Sequence, residues 1–390
     1  MTSKVQIPEV KFEVVCDVKG HTGFISLNRP KALNALSLPM IRALMAQLLA
    51  WKDDASIKQV AIRGMSKPTA EGIEVPFGNF SAGGDIRFFH QAIQTGNPEL
   101  EDFFTEEYAL NHLIANYPKP YIAFMDGLVF GGGMGISQGA SHRIVTERTK
   151  MAMPETGIGL FPDVGGGYFL SRCPGFVGEY LALTGVQISA DEALAYGLAD
   201  TKVSSASLAT LWDSLATQFA GDIEIVNNTI NNIAHKAINT PAAFNIIAKI
   251  DAIFSLSSVS EIDQALEASN DEINDITSDT WAQQTAATLR SRSPLMLHVV
   301  LEQIRRGRQL NLVQNLQMER GMVRHCFYTA HLGRFGNASE TVEGIRALAV
   351  DKDHQPRWNP AHISDVTEDM VAPFFVSPWP KQAHPLAHLR

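Results

Sequence analysis

The chain has 390 residues, of which 45% are hydrophobic and 19% are charged. A chain of this length can bury roughly three quarters of its unfolded surface, so its core needs neither a disulfide nor a metal to be stable. Its 32 basic and 41 acidic residues give a net charge of -9, which argues against a general nucleic-acid-binding protein because such a protein needs a basic face.

Short strands and helices alternate along the N-terminal half. Residues 12–17 and 22–27 are β-branched or aromatic runs around Lys19-Gly20-His21, a pattern typical of a hairpin. Ser37 is a helix cap followed by apolar residues at helical spacing. The remaining predictions, in chain order, are a strand at 59–62, a helix at 101–116, and strands at 121–125, 143–146 and 150–153.

This order of elements predicts an α/β fold made of repeated strand-strand-helix units, which must stack to bury their apolar faces. Beyond about residue 205 the pattern becomes helical. We therefore predict a core at 10–205 and a helical C-terminal region at 206–371. Residues 372–390 contain four prolines and are predicted to form an extended tail.

The cysteines and the N-terminal residues favour a cytoplasmic protein. Cys16, Cys173 and Cys326 are far apart and form no Cys-x-x-Cys pair, so neither a disulfide framework nor a thiolate metal site is indicated. Residues 1–12 lack the apolar stretch of a secretory signal, and acidic residues precede the first arginine, Arg29, unlike in a transit peptide. No apolar run reaches the length of a membrane span.

Two glycine clusters are candidates for a binding site. Gly83-Gly84 and Gly131-Gly132-Gly133 each follow a strand and precede a helix, where backbone N–H groups lack partners and glycine lets a ligand approach. Two such turns facing each other would offer two N–H donors to one oxygen, as stabilisation of an oxyanion requires. Tight packing between strand and helix is the alternative explanation.

Two acidic residues lie among apolar residues and glycines. Glu155 ends a strand, and Asp163 follows eight residues later in the sequence GLFPDVGGG at 159–167. An apolar setting of this kind is one in which pKa values are tuned for acid–base catalysis. A helix cap for Asp163 and an ion pair for Glu155 are the structural alternatives. Of Glu106 and Glu107, adjacent on the predicted helix, at most one should face a cleft.

These motifs together resemble the enoyl-CoA hydratase/isomerase (crotonase) superfamily. The resemblance lies in NRPKALNAL at 28–36, FSAGGDI at 80–86 and GLVFGGGMG at 127–135. Within the superfamily, MPETGIGLFPDVGGGY at 153–168 and EGIRA at 343–347 resemble the subgroup of 3-hydroxyisobutyryl-CoA hydrolases. The resemblance implies a crotonase-like spiral of strand-strand-helix units with a helical C-terminal region.

The resemblance also implies site residues. Gly84 and Gly132 would donate to the thioester carbonyl, and Glu155 and Asp163 would be the catalytic acids. Hydratases of the superfamily use a second glutamate where this chain has Gly135. The residues predicted to contact the substrate are Glu107, with Glu106 as the alternative, Gly83, Ala82, Lys31 and Arg29, the last two as candidates for the CoA phosphates.

The expected activity is hydrolysis of a 3-hydroxyacyl-CoA thioester, with 3-hydroxyisobutyryl-CoA of valine catabolism as the expected substrate. Glu155 would act either as a nucleophile or as a base that activates water. Enoyl-CoA hydration or isomerisation is the alternative, followed by a non-catalytic acyl-CoA-binding protein. No metal or separate cofactor is expected, since CoA is part of the substrate. An acyl-CoA is the expected partner, nucleic acid and membrane are not, and a homo-oligomer is left open.

Overall fold

The structure is a computed structural model that describes residues 12–217, 228, 230, 241–269 and 279–390. In these ranges the strands are β1 Val14–Lys19, β2 Thr22–Leu27, β3 Gln59–Gly64, β4 Tyr121–Met125, β5 Leu128–Phe130, β6 His142–Val145, β7 Lys150–Ala152, β8 Ile188–Ser189, β9 Thr201–Lys202, β10 Tyr328–Thr329 and β11 Arg334–Phe335. The α-helices are α1 Leu38–Asp53, α2 Ile86–Thr95, α3 Glu99–Ala115, α4 Gly132–Gln138, α5 Gly166–Leu170, α6 Val177–Thr184, α7 Ala190–Ala195, α8 Leu208–Thr217, α9 Pro241–Phe254, α10 Val259–Ala268, α11 Asp279–Ser291, α12 Pro294–Gly307, α13 Leu312–Phe327, α14 Glu340–Ile345 and α15 Glu368–Val371.

Two sheets share the strands of the N-terminal half. The first has the order β1-β2-β3-β4-β6-β9, and all of its pairs are parallel except β1-β2. The second has the order β5-β7-β8. Successive strands alternate between the sheets, since β4 and β6 belong to the first and β5 and β7 to the second. The strand-strand-helix repeat predicted from the sequence is therefore confirmed, with β4, β5 and α4 as one complete unit.

Two of the central strands, β2 and β4, are buried along their whole length. Every residue of β2 and of β4 is buried, as expected for parallel strands covered on both faces. The predicted cap of α1 is confirmed, because the Ser37 side chain accepts a hydrogen bond from the Met40 N–H at 3.3 Å. The apolar stripe of α1 packs into the main core, and each buried Leu or Ile side chain there contributes about 2 kcal/mol.

The C-terminal residues pack against α13. Gln317 Nε2 donates to the carbonyl of Leu386 at 3.1 Å, and the Trp379 ring lies 4.9 Å from the Arg320 guanidinium. Phe374 and Leu386 are fully buried. The segment predicted to be extended thus folds back in short turns, because its apolar side chains have a helix surface to cover. None of the described helices is long and apolar enough to cross a membrane.

Candidate active site

Two glycine turns meet at the N-terminus of α4. Gly131 precedes α4 with a φ of 45°, and Gly132 is its first residue, so the Gly132 N–H has no partner inside the helix. Gly84 lies in the loop before α2, and its N–H donates to none of the residues that the structure describes. Asp85 then caps α2 by accepting from the Phe88 N–H.

The amides of Gly84 and Gly132 are close together. A Cβ atom placed on Gly132 would lie 3.3 Å from the Gly84 nitrogen, and one on Gly83 would lie 3.5 Å from the Gly132 nitrogen. Because a Cβ lies about 2.5 Å from the nitrogen of its own residue, the Gly84 and Gly132 nitrogens are at most about 5.8 Å apart. One oxygen atom can lie within hydrogen-bonding distance of both.

Glu155 is buried beside Gly131. It begins the 3-10 turn Glu155–Ile158, which follows β7, and its side chain is 7% exposed. A Cβ atom on Gly131 would lie 2.6 Å from Glu155 Oε1, so only glycine leaves room for the carboxyl group there. Oε2 has no hydrogen-bond partner among the described residues. Burial raises the pKa of Glu155 well above its ordinary value, and the charge of Asp163 raises it further.

Asp163 is held by a tyrosine of α3. Tyr108 Oη donates to Asp163 Oδ2 at 2.8 Å, and both side chains are buried. Burial raises the pKa of Asp163 to about 7, although the hydrogen bond from Tyr108 lowers it. The next residue, Val164, has a φ of 53°, a strained value for a β-branched side chain. The contact of Tyr108 with Asp163 could not be predicted from the sequence, because helical spacing does not show which loop a helix contacts.

Glu107, and not Glu106, faces the glycine turns. Glu107 is 2% exposed, and its Oε1 would lie 2.5 Å from a Cβ atom on Gly132. Glu106 points to the surface, where it binds Arg42. Burial raises the pKa of Glu107 well above its ordinary value, with further increases from the charges of Asp163 and Glu155. The three buried carboxyl groups are thus near enough to oppose one another's ionisation.

Glycines let α3 and α4 approach each other closely. Cβ atoms on Gly132, Gly135 and Gly139 would meet the Glu107 side chain, the Asn111 side chain and the Ala115 backbone, respectively. At Gly135 the added atom would also lie 2.6 Å from the Cβ of Val164. The glutamate that hydratases carry at this position therefore has no room in this chain.

A buried carboxylate from α13 supports the loop of Asp163. Glu319 accepts hydrogen bonds from the N–H groups of Gly165 at 2.8 Å and Gly167 at 2.9 Å, and from the Asn315 side chain at 2.7 Å. Gln303 of α12 donates to the carbonyl of Pro162 at 2.7 Å. Burial raises the pKa of Glu319 to about 8, although the hydrogen bonds from Gly165, Gly167 and Asn315 lower it. No local pattern in the sequence indicates this support, because the contacting residues are far apart in the chain.

The remaining predicted residues have varied surroundings. Ala82 and Gly83 lie in the loop before Gly84, where the Gly83 carbonyl accepts from the Leu36 N–H at 2.7 Å. Arg29 is committed to protein partners, namely Asp85 at 2.7 Å and Glu13 at 3.1 Å. Lys31 is exposed in the 3-10 turn Pro30–Ala32. In the described ranges no three His, Cys, Asp or Glu side chains are grouped so as to hold a metal ion.

A sequence model described as enoyl-CoA hydratase/isomerase matches residues 22–375. The chain belongs to the enoyl-CoA hydratase/isomerase family. It is 36% identical over 362 residues to the mitochondrial 3-hydroxyisobutyryl-CoA hydrolase of Xenopus tropicalis, covering 92% of this chain and 87% of that protein. It is 37% identical to 3-hydroxyisobutyryl-CoA hydrolase 1 of Arabidopsis thaliana, covering 93% of this chain and 91% of that protein.

A solved structure supports the same fold. The crystal structure of a carnitinyl-CoA dehydratase from Mycobacterium thermoresistibile superimposes with a TM-score of 0.80 at 33% sequence identity. The match covers 94% of this chain and 98% of that one. The α/β crotonase fold predicted from the sequence is therefore confirmed.

Proposed function

We propose that this protein hydrolyses 3-hydroxyisobutyryl-CoA to 3-hydroxyisobutyrate and CoA. The observation that carries the proposal is the buried Glu155 carboxyl group beside the amides of Gly84 and Gly132, with Asp163 in the same cluster. Relatives similar over more than nine tenths of this chain carry that activity in their names. An acyl-CoA is the proposed partner, and no separate cofactor takes part.

The two amides would act as an oxyanion hole. As the thioester carbonyl is attacked, negative charge develops on its oxygen, and two N–H groups stabilise that charge. Loss of one such donor costs about 3 to 4 kcal/mol in the transition state. The Gly84 and Gly132 amides suit this role because their N–H groups are free of partners among the described residues and one oxygen can reach both.

Glu155 supplies the base or the nucleophile. As a base, its carboxylate takes a proton from water while the hydroxide adds to the carbonyl carbon, the C–S bond breaks, and the proton passes to the CoA thiolate. As a nucleophile, the carboxylate displaces CoA to form a mixed anhydride, which water then hydrolyses. A raised pKa makes the ionised carboxylate a stronger base. Trapping with hydroxylamine separates the two routes, since only an anhydride activates the Glu155 carbonyl so that the hydroxamate forms on the protein itself.

Enoyl-CoA hydration is the rival activity, because the similar solved structure is named as a dehydratase. Addition of water to an enoyl group by this family uses two glutamates, and the second position here is Gly135, closed by Val164. Supplying crotonyl-CoA distinguishes the two activities. Loss of the double bond without release of thiol would favour the hydratase and contradict the hydrolase.

The direct test is thiol release from a panel of acyl-CoA thioesters. We expect Glu155→Gln and Asp163→Asn to lose activity by a factor of about 10² to 10⁴, and Glu107→Gln to weaken it. The matched control is Glu106→Gln, on the same helix but bound to Arg42 at the surface. Full activity in both the Glu155 and Asp163 variants would refute the assignment.

A role in valine catabolism and a cytoplasmic location belong to the same proposal. Deletion of the gene should block growth on valine and cause 3-hydroxyisobutyryl-CoA to accumulate.

The name of the Xenopus tropicalis relative places that protein in mitochondria, so fractionation of the source cells is the measurement for location. Light scattering measures the oligomeric state, which the sequence leaves open.

A further inference from the structure

Asn111 is a buried amide for which the proposed mechanism has no use. It lies on α3, one turn after Glu107, and is 4% exposed. Its Oδ1 and its Nδ2 both lack a hydrogen-bond partner among the described residues. A buried amide without a partner is costly, and such groups in folded proteins have a reason to be kept. Because its Nδ2 group can donate a hydrogen bond, it suits a ligand that carries an accepting oxygen.

Asn111 of α3 contacts α4 farther along that helix than the two amide donors. A Cβ atom on Gly135 would lie 3.0 Å from Asn111 Nδ2 and 2.6 Å from the Cβ of Val164. Gly135 follows Gly132 by three residues, which is about 4.5 Å along a helix axis. Asn111 therefore lies one step past the carbonyl-binding amides, beside the residue that follows Asp163.

The acyl group has a polar atom at a matching separation. In a 3-hydroxyacyl thioester the hydroxyl oxygen is two carbons from the carbonyl carbon, so standard bond lengths place it about 3 to 4 Å away. With the carbonyl oxygen between the amides of Gly84 and Gly132, the hydroxyl group can approach the Asn111 amide, which lies beside the residue that follows Asp163. A hydroxyl oxygen accepts a hydrogen bond, as the unpaired Nδ2 of Asn111 requires.

We propose that Asn111 is a specificity-determining residue that recognises the 3-hydroxyl group of the acyl chain. Its Nδ2 donates to the hydroxyl oxygen, and the hydroxyl hydrogen is left to donate to Asp163. A site built to bind a hydroxyl group rejects the analogue that lacks it, because its buried polar groups would stay unpaired. This inference rests on the proposed hydrolysis of a 3-hydroxyacyl thioester.

The test compares two thioesters that differ only in the hydroxyl group, 3-hydroxyisobutyryl-CoA and isobutyryl-CoA. In Asn111→Leu, which removes both polar atoms, we expect kcat/KM for the hydroxylated substrate to fall about tenfold or more, since about 1.4 kcal/mol corresponds to a factor of ten. The value for isobutyryl-CoA should stay the same or rise. Asn116→Leu, an exposed position that follows the same helix, is the matched control. Equal losses on both substrates, or no loss on either, would overturn the proposal.

A second measurement needs no variant. A ketone analogue of the substrate, in which a methylene replaces the thioester sulfur, is bound to the wild-type protein and the complex is crystallised. A hydroxyl oxygen within about 3.2 Å of an Asn111 side-chain polar atom supports the proposal, and one beyond about 4 Å overturns it. If the wild-type protein releases thiol from neither thioester, the proposed function fails, while this complex still tests the contact.

Discussion

Tyr108 Oη donates a 2.8 Å hydrogen bond to Asp163 Oδ2 in the interior of the protein. The neighbour of Tyr108 on α3 is Glu107, whose side chain lies against Gly132. One helix thus contacts both the acidic loop and the N-terminus of α4. The position of α3 therefore determines how the three buried carboxyl groups are arranged.

Removal of this hydrogen bond should change the pH dependence of turnover. Burial raises the pKa of Asp163 to about 7 and Tyr108 lowers it, so Tyr108→Phe should raise the pKa further. If turnover needs ionised Asp163, the acidic limb of the pH–rate profile moves to higher pH by about half a pH unit or more. Tyr117→Phe, which loses a bond to the Leu48 carbonyl outside the site, is the control. A limb that stays in place or moves to lower pH would contradict the role of Asp163.

Glu319→Gln should affect both stability and turnover. Glu319 accepts hydrogen bonds from the N–H groups of Gly165 and Gly167, one on each carboxyl oxygen. The glutamine variant keeps only one accepting oxygen, so one of these buried N–H groups loses its partner, which costs about 1 to 3 kcal/mol. Because a displacement of about 1 Å can cost a factor of 10² in rate, we expect kcat to fall by about 10- to 100-fold. Urea unfolding and thiol release measure the two effects. Glu302→Gln, at an exposed ion pair of α12, is the control, and an unchanged kcat would show that the turn does not position Asp163.

The stability of the folded protein should decrease between pH 5 and pH 8. Burial raises the pKa of Glu319 to about 8 and the pKa of Glu340 to about 7. An acid whose pKa is higher in the folded state binds its proton more tightly there, so its contribution is complete at low pH and is lost as pH rises through the folded pKa. Each group contributes a few kcal/mol. Urea unfolding at a series of pH values should show this decrease, with a smaller slope in Glu319→Gln; stability that rises with pH would contradict it.

Gly135 and Val164 should be energetically coupled. In Gly135→Ala the added Cβ atom would lie 2.6 Å from the Val164 Cβ, and overpacking of this kind costs about 1 to 3 kcal/mol. Val164→Gly removes the contact and suits the φ of 53° at that position. The double variant should therefore lose less stability than the sum of the two single losses, with a coupling of about 1 kcal/mol in urea unfolding. Additive effects would show that the two residues do not oppose each other.

Lys31 should affect substrate binding rather than chemistry. It is exposed and follows Pro30, which lines a groove of about 240 Å³ together with Lys67. Replacing both lysines by alanine should raise KM by about 3- to 10-fold with kcat unchanged. The difference in KM between the variant and the unchanged protein should shrink at high salt. Lys52→Ala on α1 is the control. Arg29→Ala, by contrast, should lower stability because it breaks the pairs with Glu13 and Asp85. A fall in kcat for the lysine variants would contradict this assignment.

Local patterns in the sequence predicted much of the fold. The strand at 121–125 is observed as β4, and the helix predicted at 101–116 is observed as α3 Glu99–Ala115. These elements are buried or strongly periodic, so the residue pattern alone defines them. The glycine turns and Glu155 were found because they adjoin strands and carry specific motifs. Their assignment to catalysis stays a prediction until activity is measured.

Other parts of the site depend on contacts between distant residues. Periodicity places Glu107 and Asn111 on one face of α3, but it does not show that glycines of α4 lie opposite. Glu319 lies on a helix with no motif, and its role follows only from the distances to Gly165 and Gly167. Likewise, the prolines at 372–390 led to the prediction of an extended tail, because they do not show the surface of α13 on which the segment packs.

The hydrogen bond between Glu319 and Gly165 joins residues that are 154 positions apart. During synthesis on the ribosome, the glycines, Glu155 and Asp163 therefore emerge long before the helix that fixes their loop. A nascent or prematurely terminated chain would contain every reacting group and still lack the arrangement that the reaction needs. Hydrolysis of the cellular acyl-CoA pool would thus begin only once translation has reached the last quarter of the message.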